Sequence, residues 1–193
     1  MISVPLNLVL PENIKIERKL HIDREQDRKL FERVLDEARL CFSPRYSYKS
    51  LKIDDKPIPE LLSSSRDLKE FMEGSLVVFI VICTIGQGFE ELADKYKMNG
   101  DVSALFFLDR IGSDTVENLA QYSSIKLFKQ FYAKEGTCSL SRRYSPGYGD
   151  LPLQRQQQIF SLFMDDDMDV SLTESGFMRP EKSISYIVGV KND

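Results

Sequence analysis

The sequence predicts an α+β domain, a mixed or antiparallel sheet with helices packed on it, and three features carry that prediction. Residues 76–84 run Leu-Val-Val-Phe-Ile-Val-Ile-Cys-Thr without a charge, as a strand covered on both faces must. Residues 183–190 place Ile184, Tyr186, Val188 and Val190 at every second position, the period of a half-buried antiparallel strand. Elsewhere apolar residues recur three and four apart, which lets a helix press one face on a core.

Taken in order, residues 2–9 are short and alternating and read as a strand, and Ile14, Ile16 and Leu20 continue an extended amphipathic segment. Asp23 with Gln26 three residues on reads as a capping pair; Leu30, Val34, Leu35, Ala38 and Cys41 then follow at helical spacing. Pro44 ends that helix. Tyr46, Tyr48, Leu51 and Ile53 suggest a strand whose halves are offset by one residue, and 54–57, Asp-Asp-Lys-Pro, form a turn. The serines 63–65 read as a hinge or N-cap before a helix with Leu68, Phe71 and Met72, for which Gly74 is the C′ residue.

After the central strand, residues 85–88 turn into a helix carrying Phe89, Leu92, Ala93 and Tyr96. A strand, a glycine turn and a helix also describe a phosphate-binding loop, but the G-x-x-x-x-G-K-[ST] spacing is missing. Asp101 caps what should be the longest helix, with Val102, Leu105, Phe106, Val116, Leu119, Ala120, Ser123 and Leu127 on one stripe. Gly112 and Ser113 complete that stripe and allow close approach. Glu117 lies beside it and reads either as a carboxylate partly buried at an interface or as a solvated helix residue. Residues 137–143 form a short strand. Asp150 and Pro152 read as the N-cap and first-turn proline of a helix with Ile159, Phe160 and Phe163 on one face.

The stretch 141–150, Ser-Arg-Arg-Tyr-Ser-Pro-Gly-Tyr-Gly-Asp, is the most specific in the chain. Pro146 fixes one φ, while Gly147 and Gly149 permit positive φ. Arg143 offers a planar fork of donors suited to a carboxylate or phosphate, and Tyr148 an aromatic face with a polar tip. On residue types alone a structural turn between strand and helix is the favoured reading of the loop.

Composition narrows the function. A chain of 193 residues with 42% hydrophobic content can bury one full core. Its 26 basic and 30 acidic residues give a net charge of −4, with no basic stripe to release counterions from nucleic acid. Cys41, Cys83 and Cys138 are odd in number and widely spaced, which indicates neither a disulfide framework nor a zinc site and fits a reduced cytoplasm. The apolar run at 76–83 is far short of the ~18 to 20 residues that span a bilayer. The aspartates 165–167 lack the glycine and glutamate of a calcium loop and read as a solvated turn. With one histidine, His21, and unclustered cysteines, no triad or Cys–His pair can be assembled.

The spacing Arg143-x-x-x-Gly147-Tyr148 resembles the R-x-x-x-G-Y signature of the activation (reactivation) domain of cobalamin-dependent methionine synthase, which binds S-adenosylmethionine. Leu172-Thr173-Glu174-Ser175, Met178, Pro180 and Ser183-Ile184-Ser185 are similar to the L-T-E-S, M-x-P and S-V-S run that follows the signature there. Thr84-Ile85-Gly86 and Gly112-Ser113-x-x-x-Glu117 resemble stretches of free-standing relatives. The likeness runs over roughly 77–190, within one domain spanning 1–193 whose first 75 residues are weakly matched and whose part 76–193 carries the ligand loop. Tyr186 stands where a glycine is usual. An N-terminal aspartate that contacts the ligand in the fused enzymes has no assigned counterpart among Asp23, Asp54 and Asp55.

The resemblance implies a reactivation subunit that binds S-adenosylmethionine and docks over the cobalamin module of a separate methionine synthase chain, where cob(II)alamin is reduced and remethylated. A reduced flavodoxin or similar donor would supply the electron. Arg143 is expected to pair with the methionyl carboxylate, backbone groups of Ser145, Gly147 and Tyr148 to line the ligand, and Glu117 to accept a hydrogen bond from its amino or hydroxyl groups. No catalytic side chain is needed, since the donor is an activated sulfonium and the acceptor a strong nucleophile; orientation alone contributes roughly 7 to 11 kcal/mol in favourable cases. His21 lacks the D-x-H-x-x-G context of a cobalamin ligand. Two other readings stay open: a stand-alone S-adenosylmethionine-dependent methyltransferase, and an interaction module that has lost the ligand.

Overall fold

The computed structural model describes residues 1–12, 20, 22–132 and 138–192. Ile14, Ile16, His21 and the first residue of the strand expected at 137–143 lie outside them. A five-stranded sheet has the order β1 (Ile2–Ser3), β2 (Arg45–Lys52), β3 (Ser75–Thr84), β7 (Ser183–Asn192), β4 (Cys138–Leu140), and every pair is antiparallel. The other two strands, β5 (Ser171–Leu172) and β6 (Met178–Arg179), form a separate small ribbon not expected from the sequence.

Helices cover both faces. On one lie α1 (Glu25–Cys41), α4 (Gly88–Met98) and α5 (Val102–Phe131), which bury Phe31, Val34, Leu35, Leu108, Ile111 and Leu119 against Phe79, Val81, Cys83, Tyr186, Val188 and Val190. On the other lie α2 (Ile58–Ser63), α3 (Arg66–Met72) and α6 (Gln156–Ser161), with Leu61, Leu68, Ile159 and Phe163 against Val78, Ile80, Ile82 and Ile187. This is why β3 carries no polar position along its central run: side chains of both parities enter a core.

Several expectations are corrected. The 2–9 strand is only Ile2–Ser3, followed by a 3-10 turn at Leu6–Leu8. Asp23 does not cap α1, whose N-cap position is Arg24 without a side-chain bond. The short helix α2 between the 54–57 turn and the serines is an addition that the sequence reading does not include. On α5, Val102 and Phe106 are exposed while Ala104, Phe107, Leu108 and Ile111 are buried, so the stripe in the first turns runs two residues out of the expected phase. The chain has apolar residues on both sides of that segment, and periodicity alone cannot choose between them. Strand β7 is not half-buried: Ser183, Ser185 and Ile187 on its second face are buried too.

Other expectations hold. Ser65 caps α3 by accepting from the Leu68 N–H at 2.9 Å, and Asp101 caps α5 by accepting from Ala104 at 3.0 Å. A Cβ on Gly112 would lie 3.0 Å from the Phe89 ring, so the small residue does let α4 approach α5. Among the described residues no helix is long and apolar enough to cross a membrane.

Candidate functional site

The stretch 141–150 leaves the end of β4 and crosses the open edge of β7. Tyr144 forms the last rung, exchanging both backbone bonds with Ile187 at 2.9 and 2.8 Å. Beyond that rung no strand among the described residues pairs with β7 on this side, so by the alternation of the ladder the N–H and C=O of Ser185 face outward. An extended chain sends successive side chains to opposite faces, and the two arginines obey: Arg142 lies over the Phe71 ring at 5.9 Å, whereas Arg143 lies over the Tyr186 ring at 5.5 Å. Arg143 is also ion-paired with Glu117.

Between these groups opens a cavity of about 720 Å³. Glu117, Arg143, Ser145 and Tyr148 line it, together with Asp67, Phe71, Arg142, Gln156, Phe177, Ser183 and Ser185. Of the residues expected at the site, Gly147 alone stands behind the wall, with its N–H donating to Leu151 O at 2.8 Å. The Tyr148 N–H is likewise taken, by Ser145 O at 3.2 Å. These two N–H groups are therefore engaged within the loop itself. Glu117 is 56% exposed, so its carboxylate is at the mouth rather than buried at an interface.

Asp150 does not open a helix of its own. Pro152 precedes a 3-10 turn, Leu153–Arg155, that runs uncapped into α6, while the Asp150 carboxylate reaches across to the N-terminus of α3. It accepts from the Ser65 hydroxyl and from the N–H groups of Arg66 and Asp67 at 2.7 and 3.4 Å. The partner is 85 residues away, beyond any local capping pattern. The Ser65 hydroxyl first, and then those two N–H groups, hold the Asp150 carboxyl below its ordinary value. A folded value below the unfolded one means that this contribution is present above the unfolded pKa and disappears as pH falls through the folded one. Wild-type protein should thus lose denaturant stability on going from pH 5 to pH 3 more steeply than Asp150→Asn, as read by urea unfolding at each pH.

Gly149 is bound to the same anchor. Its φ is +52°, and a Cβ there would lie 2.2 Å from the Tyr144 hydroxyl and 2.9 Å from Asp67 Oδ2. Gly149→Ala is expected to cost ~1–3 kcal/mol in backbone strain alone, visible as a lower thermal midpoint, and to shift the loop away from the cavity.

Beneath Arg143 lies a buried polar cluster. The Tyr186 hydroxyl meets Ser123 Oγ at 2.8 Å and Ser124 Oγ at 3.0 Å and donates to Ala120 O at 3.1 Å, and Ser123 reaches Cys83 Sγ at 3.5 Å. Burial pushes the Cys83 thiol up to about 12 and raises the Tyr186 phenol, so neither supplies a nucleophile or a base at neutral pH. Burial raises the Cys41 thiol as well. Among the described residues no group of three or more His, Cys, Asp or Glu side chains could hold a metal; Asp166 instead pairs with Lys49 at 2.8 Å.

Sequence reasoning did not nominate Asp67, Phe71, Arg142, Gln156 or Phe177. The first two sit on α3, which only tertiary packing brings to this wall. Arg142 had a signal in the doubled arginine.

No curated protein matches the chain. One solved structure described as the MetH reactivation domain bound to AdoHcy superposes with a TM-score of 0.71 at 15% sequence identity, covering 100% of this chain and 78% of the other. At that identity the likeness establishes the fold, an α+β arrangement of an antiparallel sheet with packed helices. The family model described as vitamin B12 dependent methionine synthase, activation domain, matches residues 67–193. That range takes in α3 from its second residue, the 141–150 loop, β7 and the whole wall of the cavity, and the chain belongs to the vitamin B12 dependent methionine synthase activation-domain family.

Proposed function

We propose that the chain, acting as one domain over 1–193, binds S-adenosylmethionine in this cavity and presents its methyl group to a cobalamin carried by a separate methionine synthase chain. The observation that carries the reading is Arg143: a half-buried guanidinium, fixed over the Tyr186 ring, projecting into a cavity whose volume is that of a small-molecule site. The family membership and the AdoHcy on the structural relative support the same ligand class. The residues present fit it. Arg143 offers its fork to the methionyl carboxylate, Glu117 and Asp67 can take the ammonium and hydroxyl groups, and Ser145 and Tyr148 line the remainder.

Arg143 and Glu117 pair with each other. A zwitterionic amino acid brings one carboxylate and one ammonium, so both partners exchange one ionic contact for another. A ligand lacking either charge would leave one of them unpaired. S-adenosylmethionine would supply an activated methyl group here, and a cobalamin on the partner chain, kept reduced by a flavodoxin or similar donor, would supply the acceptor. This chain's own residues hold the donor in line and exclude water, which is the whole of the catalysis required of them. Cytoplasmic residence follows from such partners.

The test adds the purified protein, S-adenosylmethionine and a reductant to a cob(II)alamin methionine synthase lacking its own activation domain. Recovery of the methylcobalamin spectrum only with this protein present supports the proposal. Turnover of S-adenosylmethionine with no corrinoid partner would instead favour a stand-alone methyltransferase, and no binding at all an interaction module.

A further inference from the structure

Past the end of α6 the chain runs Leu162-Phe163-Met164-Asp165-Asp166-Asp167-Met168-Asp169-Val170 and borders a groove of about 430 Å³, separate from the ligand cavity. Of the apolar residues that line it, Phe163 and Val170 are buried, Phe160, Met168 and Leu172 are half-buried, and Met164 is 82% exposed. The groove is preformed. Phe163 N–H donates to Phe160 O and Asp166 N–H to Phe163 O, both at 2.9 Å, which winds the segment into successive turns. Two ion pairs clamp it to β2: Lys49 Nζ meets Asp166 Oδ1 at 2.8 Å, and Arg45 meets Asp169. The same lysine lies over the Phe163 ring at 5.4 Å. These pairs compensate two of the four aspartates. Asp165 and Asp167 are exposed, and among the described residues neither is ion-paired.

We propose that this groove docks a partner polypeptide through a segment that inserts one or two large apolar side chains and flanks them with lysine or arginine. The lining demands the apolar part, since a patch of this kind on a clamped surface gains by being taken out of water. Met164 and Met168 stand at either end of the aspartate run, and their flexible thioethers adapt to the side chain that enters. The rim demands the basic part: two uncompensated carboxylates beside an apolar groove complement a cationic segment. That charge also turns away an anionic lipid surface and a nucleic acid. The groove adjoins the ligand cavity. Gln157 follows Gln156, and Leu172 pairs with Met178 across the β5–β6 ribbon, with Gln156 and Met178 lining the cavity. A partner anchored here is held beside the ligand site, and the docking does not depend on what that site binds.

The experiment uses the full chain without ligand and the fluorescence anisotropy of a labelled peptide that alternates pairs of lysine and leucine. Wild-type protein should bind it, and should bind at least ten-fold more weakly the versions with glutamate for every lysine or serine for every leucine. Asp165→Asn combined with Asp167→Asn should weaken binding roughly 2- to 30-fold at low salt, the range for two exposed ion pairs. Met164→Ala should weaken it about five-fold; the residue is exposed, so the fold is unaffected. The chain has six methionines, and in methyl-labelled protein the peptide should shift the Met164 and Met168 signals and leave Met1, Met72, Met98 and Met178 in place. No binding of the lysine–leucine peptide overturns the proposal, as does binding that the variants leave unchanged or that the serine version reproduces. A shift at Met178 instead would put the peptide in the cavity and refute the groove. Self-association of the wild type that Met164→Ala abolishes would assign the groove to a second copy of the chain, again against the proposal.

Discussion

Arg143→Ala is expected to weaken S-adenosylmethionine binding roughly 10- to 150-fold, the equivalent of ~1.5–3 kcal/mol for a hydrogen bond to a charged group, measured by titration calorimetry. The fold should survive. Its protein partner Glu117 is 56% exposed, so water takes over the stranded carboxylate, and exposed ion pairs contribute only ~0.2–1 kcal/mol. A selective loss of affinity at nearly unchanged thermal midpoint is therefore the signature. Arg143→Lys should rescue in part, because an ammonium keeps the charge but loses the planar fork and much of the stacking on Tyr186. Equal affinity in wild type and Arg143→Ala would remove Arg143 from the site.

Tyr186→Ala should have the largest effect on stability. The ring is fully buried between β3 and α5 and opposite Val81 in the strand register, and truncating a buried aromatic to alanine costs ~3–5 kcal/mol. For a domain of this size each kcal/mol moves the midpoint by roughly 2–4 °C, so thermal unfolding should shift by on the order of ten degrees. Tyr186→Phe separates the ring from its hydroxyl. Ser123 and Ser124 keep their bonds to Leu119 O and Ala120 O at 2.8 Å each, so this variant should lose only ~1 kcal/mol. It should also bind ligand normally, since the platform under Arg143 remains.

These two residues show what a sequence can and cannot reveal. The loop 141–150 was legible because R-x-x-x-G-Y is a compact local pattern. The central position of 76–84 was legible because burial on both faces leaves no room for a polar residue. The second burial of β7 was not: Ser183, Ser185 and Gly189 occupy its hidden face, and small polar residues read as solvent-facing until Gln156 is seen accepting from Ser185 at 3.0 Å. Asp150 reads as a local cap in the sequence because its partner Ser65, at the start of α3, lies 85 residues away. Asp67, Phe71 and Phe177 carry no motif. They reach the cavity only through the packing of α3 and the β5–β6 ribbon, so they became visible with the tertiary structure.

On the proposed reading, the pairing of Arg143 with Glu117 sets the preference for a zwitterion. The cavity wall holds Arg142 and Arg143 with Asp67 and Glu117, two charges of each sign, and so complements a zwitterion better than a phosphate or a simple cation.

The most direct measurement is a crystal structure of the protein soaked in S-adenosylhomocysteine. The account predicts the ligand in the cavity, its carboxylate bidentate on Arg143 and Glu117 turned to the ammonium. An empty cavity at saturating ligand, with the Arg143–Glu117 pair intact, would contradict it.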